Sequence, residues 1–249
     1  LDKSFSNFSG VNIVVNKMKK YNNSGNYLEN TLSQSYQRTG LERDVGFLLR
    51  GYTTINETDY ALLYKTEPEG HRIGIEIDDE IGSFNIYDEI TYLWDTDKIT
   101  MPGSYKGNLL KNYFMNVLGL HYRFDNSLQI TAEYLFNGLG DSNNLDAANI
   151  RYKNGLSSSL NKHIIGISLN YEFNPLLIGN YDSKIAWEDS SNQHNLSLTK
   201  SISDNIDFIV GSQINIGDRP NGSNWQNPNL QSEFGRYTNT YYLKFNCYF

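Results

Sequence analysis

The feature that most constrains this chain is alternation of apolar and polar residues over segments of roughly ten residues. In Asn161–Phe173, Ile165, Ile167, Leu169, Tyr171 and Phe173 share one parity; Gly166, Ser168, Asn170 and Glu172 share the other. Ser127–Asn137 repeats this, with Leu128, Ile130, Ala132, Tyr134 and Phe136 opposed to Gln129, Thr131, Glu133 and Asn137. Asn205–Gly217 sets Ile206, Phe208, Val210, Ile214 and Ile216 against Asp207, Gly211, Gln213 and Asn215. Successive side chains on a strand point to opposite faces, so each segment is a two-faced strand.

Earlier segments alternate less cleanly. Arg72–Asp78 opposes Ile73, Ile75 and Ile77 to Arg72, Gly74, Glu76 and Asp78. Asp44–Ile55 sets Val45, Phe47 and Leu49 against Arg50 and Tyr52, and Asp88 interrupts the apolar parity of Phe84–Trp94. A strand over Tyr27–Arg38 has only Leu28, Leu32 and Tyr36 as anchors. Residues 1–26 are set apart from a β domain over 27–249. They supply either a first strand around Val11–Val15 or a segment lying inside a barrel.

Connections alternate in length. Asp125-Asn126, Asn174-Pro175 and Ser203-Asp204-Asn205 are tight turns of the usual turn residues, and Thr96–Asn112, Gly138–Leu160 and Asp218–Arg236 are long and polar. Short turns at one end and long loops at the other predict an up-and-down antiparallel order of about twelve strands. In outer-membrane barrels the short turns are periplasmic and the long loops extracellular.

Composition narrows the class. Aromatics make up 14% of the chain, with 19 Tyr and 12 Phe, although mean hydropathy is only -0.54. A transmembrane barrel meets both conditions, with lipid on one face, water on the other and aromatics at the interfaces. No stretch reaches the roughly 18 apolar residues of a membrane helix. The start at Leu1 is read as a mature form from which a secretory signal has been removed, with a truncated fragment as the alternative. One cysteine, Cys247, allows no internal disulfide, and no cofactor or metal is expected. Asp141–Asp146 offers oxygen ligands but lacks the Gly and closing Glu of a calcium loop. A net charge of -7 without a basic stripe excludes nucleic acid as a partner.

The last strand reads Tyr241, Leu243, Phe245, Cys247 and Phe249 on one parity, with Thr240, Tyr242, Lys244, Asn246 and Tyr248 on the other. It resembles the C-terminal signature strand of Gram-negative outer-membrane β-barrel proteins, which ends on Phe. The resemblance implies a bacterial outer-membrane location, recognition by the barrel-assembly machinery, and pairing of the last strand with the first. It sets Phe249 and Cys247 toward lipid. The lumen parity then carries Arg50, Arg72, Arg123, Lys184 and Lys244 against Glu76, Asp78, Glu89, Glu133, Glu172, Asp182, Glu188 and Asp207.

Such a wall is consistent with a water-filled pore or with a barrel plugged by its own salt-bridged side chains; passive diffusion of small polar solutes, as in porins, is the expected function, and a structural barrel that anchors a partner protein is an alternative. Porins for acidic sugars have arginine-dominated lumens, and this chain departs from that pattern. Loops bearing Tyr105, Tyr152 and Trp225 are expected to fold inward and narrow the mouth, or to bind an outside partner; a homo-oligomer is also open. A lipid-hydrolase barrel is the enzymatic alternative, yet no Gly-x-Ser-x-Gly or His-Glu-x-x-His motif is present. His163 and His194 take the lipid parity and His121 the lumen parity, with Ser212 across a hairpin from His194. Asp78-Asp79-Glu80 is read as a solvated turn.

Overall fold

The computed structural model describes residues 2–6, 8–17, 37–39, 45–67, 70–94, 98–100, 112–141, 145–153, 156–221 and 229–248. The alternating segments form long strands: β1 (Asp2–Ser6), β2 (Ser9–Lys17), β3 (Gln37–Thr39), β4 (Val45–Ile55), β5 (Thr58–Glu67), β6 (Gly70–Ile81), β7 (Phe84–Trp94), β8 (Lys98–Thr100), β9 (Tyr113–Arg123) and β10 (Leu128–Asn137). After the helix α1 (Leu145–Lys153) come β11 (His163–Asn174), β12 (Leu177–Ala186), β13 (Asn192–Ser203), β14 (Ile206–Ile216) and β15 (Thr240–Cys247). Thirteen of these form one sheet in chain order, from β1 to β15, while β3 and β8 pair with each other. Every described pairing is antiparallel, as an up-and-down order requires. The count agrees with about twelve strands, with the five-residue β1 at the margin. Among the described residues no pairing joins β15 to β1, and no helix is long and apolar enough to cross a membrane.

Turn chemistry sets the register. Asn56 and Glu57, between β4 and β5, have φ of 51° and 73°, the left-handed pair that a two-residue hairpin turn needs. Gly82, between β6 and β7, has φ 66°. Asn126 and Asn174 fold their own turns, their Oδ1 atoms accepting from the Leu128 and Leu176 amides at 3.2 and 3.0 Å. All these turns lie at one end of the sheet.

Some expectations are corrected. Thr58–Glu67, for which no strand is predicted above, is the full strand β5. It returns to β6 through only Pro68 and Glu69, at the end where the long loops lie, so the alternation of loop lengths is not strict. Asp78, Asp79 and Glu80 lie within β6 and pair with Tyr87, Ile86 and Asn85, rather than forming a turn. Val11–Val15 falls within β2, paired to β4. Most of the strand expected over Tyr27–Arg38 lies outside the described residues, as do Tyr105, Trp225 and Phe249.

The two faces differ in kind. One carries Ile73, Ile75, Ile77, Leu118, Leu120, Leu196, Leu198, Leu243 and Phe245, all more than a third exposed. Full burial is concentrated elsewhere. Leu139 and Leu160, in the segment joining β10 to β11, are each 1% exposed, and Leu93 and Tyr113 pack against Leu139.

Candidate functional site

Register, followed strand to strand, aligns the polar face. One unbroken row runs Thr54, Asp59, Asp78, Tyr87, Gly119, Glu133, Gly166, Lys184, Gln193, Asn215. A neighbouring row includes Tyr52, Ala61, Glu76, Glu89 and Val117. Because side chains alternate with period two, Arg50, Arg72, Arg123, Glu172, Asp182, Asp207 and Lys244 take the same parity on their strands. Twelve of the thirteen charged residues selected from the sequence thus share one face of the sheet. Glu188 is the exception and a correction. It lies beyond the end of β12, where its carboxylate accepts from the Lys162 and His163 amides at 3.2 and 3.3 Å and holds the loop end together.

The face is charged unevenly. Arg50 donates from Nε to Glu76 Oε2 at 3.0 Å, from Nη2 at 2.5 Å, and lies 5.5 Å from the Tyr52 ring centroid. Arg72 donates to Thr91 Oγ1 and Tyr113 Oη at 3.2 and 3.0 Å. Asp78 accepts from Asn85 Nδ2 at 2.7 Å, Asp59 from Thr54 Oγ1 at 2.5 Å, and Glu133 from the Tyr87 hydroxyl. Farther along, Asp182 accepts from Ser168 at 2.7 Å, and Asp207 accepts from Ser201 and Tyr248 at 2.7 and 3.0 Å. Arg50, Tyr52, Asp59, Glu76, Asp78, Tyr87 and Glu89 line a cavity of about 560 Å³ toward the short-turn end, bordered by Phe8. One guanidinium there stands among four carboxyl groups, so the local field is negative.

At the other end the polar face is capped. Ile150 of α1 and Leu156 pack against Leu93, Tyr113 and Leu139, the first two being polar-face positions of β7 and β9. The loop therefore folds back over the face. Residues 229–239 join it: Asn149 exchanges two bonds with the Leu230 backbone, each 2.9 Å. Glu233 Oε2 accepts from the Leu160 amide at 2.6 Å, and Asp189 Oδ2 accepts from the Glu233 amide at 2.8 Å. Burial pushes the Glu233 carboxyl above its ordinary value, opposed by the Leu160 amide and by Arg236. Arg236 lies 4.1 Å from the Tyr152 ring centroid and bridges the two loops. The loop that holds Tyr152 thus packs over the polar face of the sheet.

Three of the four histidines lie on the apolar face in one repeated arrangement. Tyr64 and His71, Tyr134 and His163, and Tyr181 and His194 join hydroxyl to Nδ1 at 2.7, 2.6 and 2.9 Å with nearly parallel rings. His121 takes the polar face and contacts Thr131 Oγ1 at 3.0 Å. Ser212 pairs with Leu196, and His194 pairs with Ile214.

Asp59, Tyr87 and Glu233 were not selected from the sequence. Asp59 had a usable signal in the alternation of Asp59, Ala61, Leu63 and Lys65 against Tyr60, Leu62 and Tyr64. Tyr87 shares the parity of Glu89 but reads as an ordinary strand aromatic, and nothing in the local sequence marks Glu233. Neither a scan against protein-family models nor a search of curated proteins gives a match for this chain.

Proposed function

We propose that this chain is a transmembrane barrel of the bacterial outer membrane and acts as a passive channel for small polar solutes, with a preference for cations. The observation that carries the reading is the register of twelve selected charges on one face, with exposed aliphatic and aromatic side chains on the other. Apolar area left in water forgoes roughly 25 cal/mol per Å², and a face this extensive needs a cover. Lipid supplies that cover, and the charged face then lines the water-filled side. Edges are not tolerated in hydrocarbon, so β1 and β15 must be paired, with each other or with further strands. Recognition of β15 by the barrel-assembly machinery belongs to the same reading.

The cap narrows one mouth, while the acidic cavity lies toward the other. Solutes on this account pass the loops first and then meet Asp59, Glu76, Asp78 and Glu89, whose field favours cations and polar neutral molecules over anions. Liposome swelling tests the reading. Proteoliposomes are expected to swell in small sugars and more slowly as sugar size rises, and the folded protein should migrate differently on gels before and after heating. Intact liposomes bearing the folded protein that do not swell in any small solute would refute the channel.

A further inference from the structure

Tyr242, on the polar face of β15, stands directly across from Gly211 on β14. A methyl group added at Gly211 would sit 2.4 Å from both Cζ and Oη of Tyr242 and 2.9 Å from Cε1. Those distances put the added carbon above the ring plane and not at its edge, so the ring lies flat on the glycine. Covering a strand glycine accounts for the underside of the ring. The upper face is left over, with Tyr242 42% exposed and its hydroxyl without a partner among the described residues. Tyr87, flat on Gly119, differs in giving its hydroxyl to Glu133.

Beyond Gly211 the same row reaches Ser197 on β13 and Asn180 on β12. Asn195 and Thr199 flank Ser197 on the same face, and Gln213 flanks Gly211. Elsewhere on this wall amides satisfy one another: Asn180 accepts from Asn170 at 2.5 Å and Asn215 from Gln193 at 2.8 Å. The side chains of Asn195, Ser197 and Thr199 make no hydrogen bond among the described residues. The nearby charges are of opposite sign. Asp182, across from Asn195, accepts from Ser168 at 2.7 Å, and Lys244 lies two residues past Tyr242.

We propose that the open face of Tyr242, ringed by Asn195, Ser197, Thr199 and Gln213, is a subsite for one sugar ring of a neutral saccharide. The proposal rests on the channel reading, which turns this face toward the lumen. A pyranose is apolar across its C–H faces and polar around its rim. Its C–H face suits the negative face of a flat aromatic ring. Each rim hydroxyl both donates and accepts, as the amides and hydroxyls around Tyr242 do. A solute without hydroxyls would strip water from Asn195 and Ser197 and replace none of its bonds. Organic cations gain more at the carboxylates of β5, β6 and β7, and an anion finds Lys244 offset by Asp182.

The test is titration calorimetry of the full chain, folded in detergent micelles, with maltotriose, trigalacturonate, putrescine and adenosine as probes. Maltotriose is expected to bind most tightly and, in planar bilayers, to interrupt the current in proportion to its concentration. Tyr242→Ala should keep heat-modifiable migration and bind maltotriose roughly tenfold more weakly. Tyr242→Phe, which keeps the ring face, and Asn195→Ala should each lose only about threefold. Tyr241→Ala, one residue away on the apolar face, should bind as wild type does. Tyr242→Ala binding as well as wild type overturns the subsite, as does tighter binding of any of the other three probes. Tyr242→Phe binding as weakly as Tyr242→Ala overturns the role of the ring face. Maltotriose binding without current steps keeps the subsite and overturns the channel, whereas steps without binding overturn the subsite alone.

Discussion

Asp59 and Asp78 stand directly opposite each other on β5 and β6, and on the next strand pair Glu76 stands opposite Glu89 in the same way. Like charges in direct register oppose strand pairing. Their local partners, Thr54 for Asp59, Asn85 for Asp78 and Arg50 for Glu76, fix the side chains without removing the negative excess.

Replacing both members of the first pair should therefore stabilise the sheet while weakening selection. Asp59→Asn/Asp78→Asn is expected to gain a few tenths up to about 1 kcal/mol, read as a higher urea midpoint. Across a potassium chloride gradient, the reversal potential should move toward zero from the cation-selective side. An unchanged reversal potential would remove these carboxylates from the selectivity account.

Tyr87 lies across Gly119, its register partner, and its hydroxyl reaches Glu133 one strand farther on. A methyl group added at Gly119 would sit 2.0 Å from Tyr87 Cζ. Tyr242 covers Gly211 in the same way, an aromatic ring filling the space above a strand glycine. Gly119→Val should push the ring aside and cost about 1–3 kcal/mol. Tyr87→Phe, which keeps the ring and loses the donor, should cost about 1 kcal/mol. Thermal midpoints of the two variants check the order.

Glu233 ties the two capping loops through the buried amides of Leu160 and Asn161. Its folded pKa is raised by burial, so the folded cap binds this proton more tightly than the open loop. That contribution is fully present below the ordinary glutamate range and is lost as pH rises through the raised value. Hydrogen exchange at Leu160 and Asn161, corrected for intrinsic rates, should show protection falling through that window. Glu233→Gln should flatten the dependence. Glu233→Ala leaves buried donors without an acceptor and should cost the cap about 1–3 kcal/mol.

Strand existence and parity were legible from sequence because alternation is local. Ile165 and Gly166 declare their faces without reference to any other strand, which is why Glu133, Asp182, Lys184 and Lys244 could be placed from Phe245 and its neighbours. What needed three dimensions is what register and loops bring together. Asp59 and Asp78 are nineteen positions apart in the chain until the pairing of β5 with β6 sets them opposite each other. Glu188 departs from the parity of β12 because it lies past Ala186, the last residue of that strand, where alternation no longer sets a side chain's face. The cap was foreseen only as a direction of folding, since the contacts of Asn149 with Leu230 and of Glu233 with Leu160 join segments more than seventy residues apart.

Single-channel recording in planar bilayers with the purified full chain tests the central claim most directly. Discrete ohmic current steps are expected, with a reversal potential in a potassium chloride gradient on the cation-selective side. Protein shown to be inserted and folded, yet giving no steps over repeated trials, would contradict it.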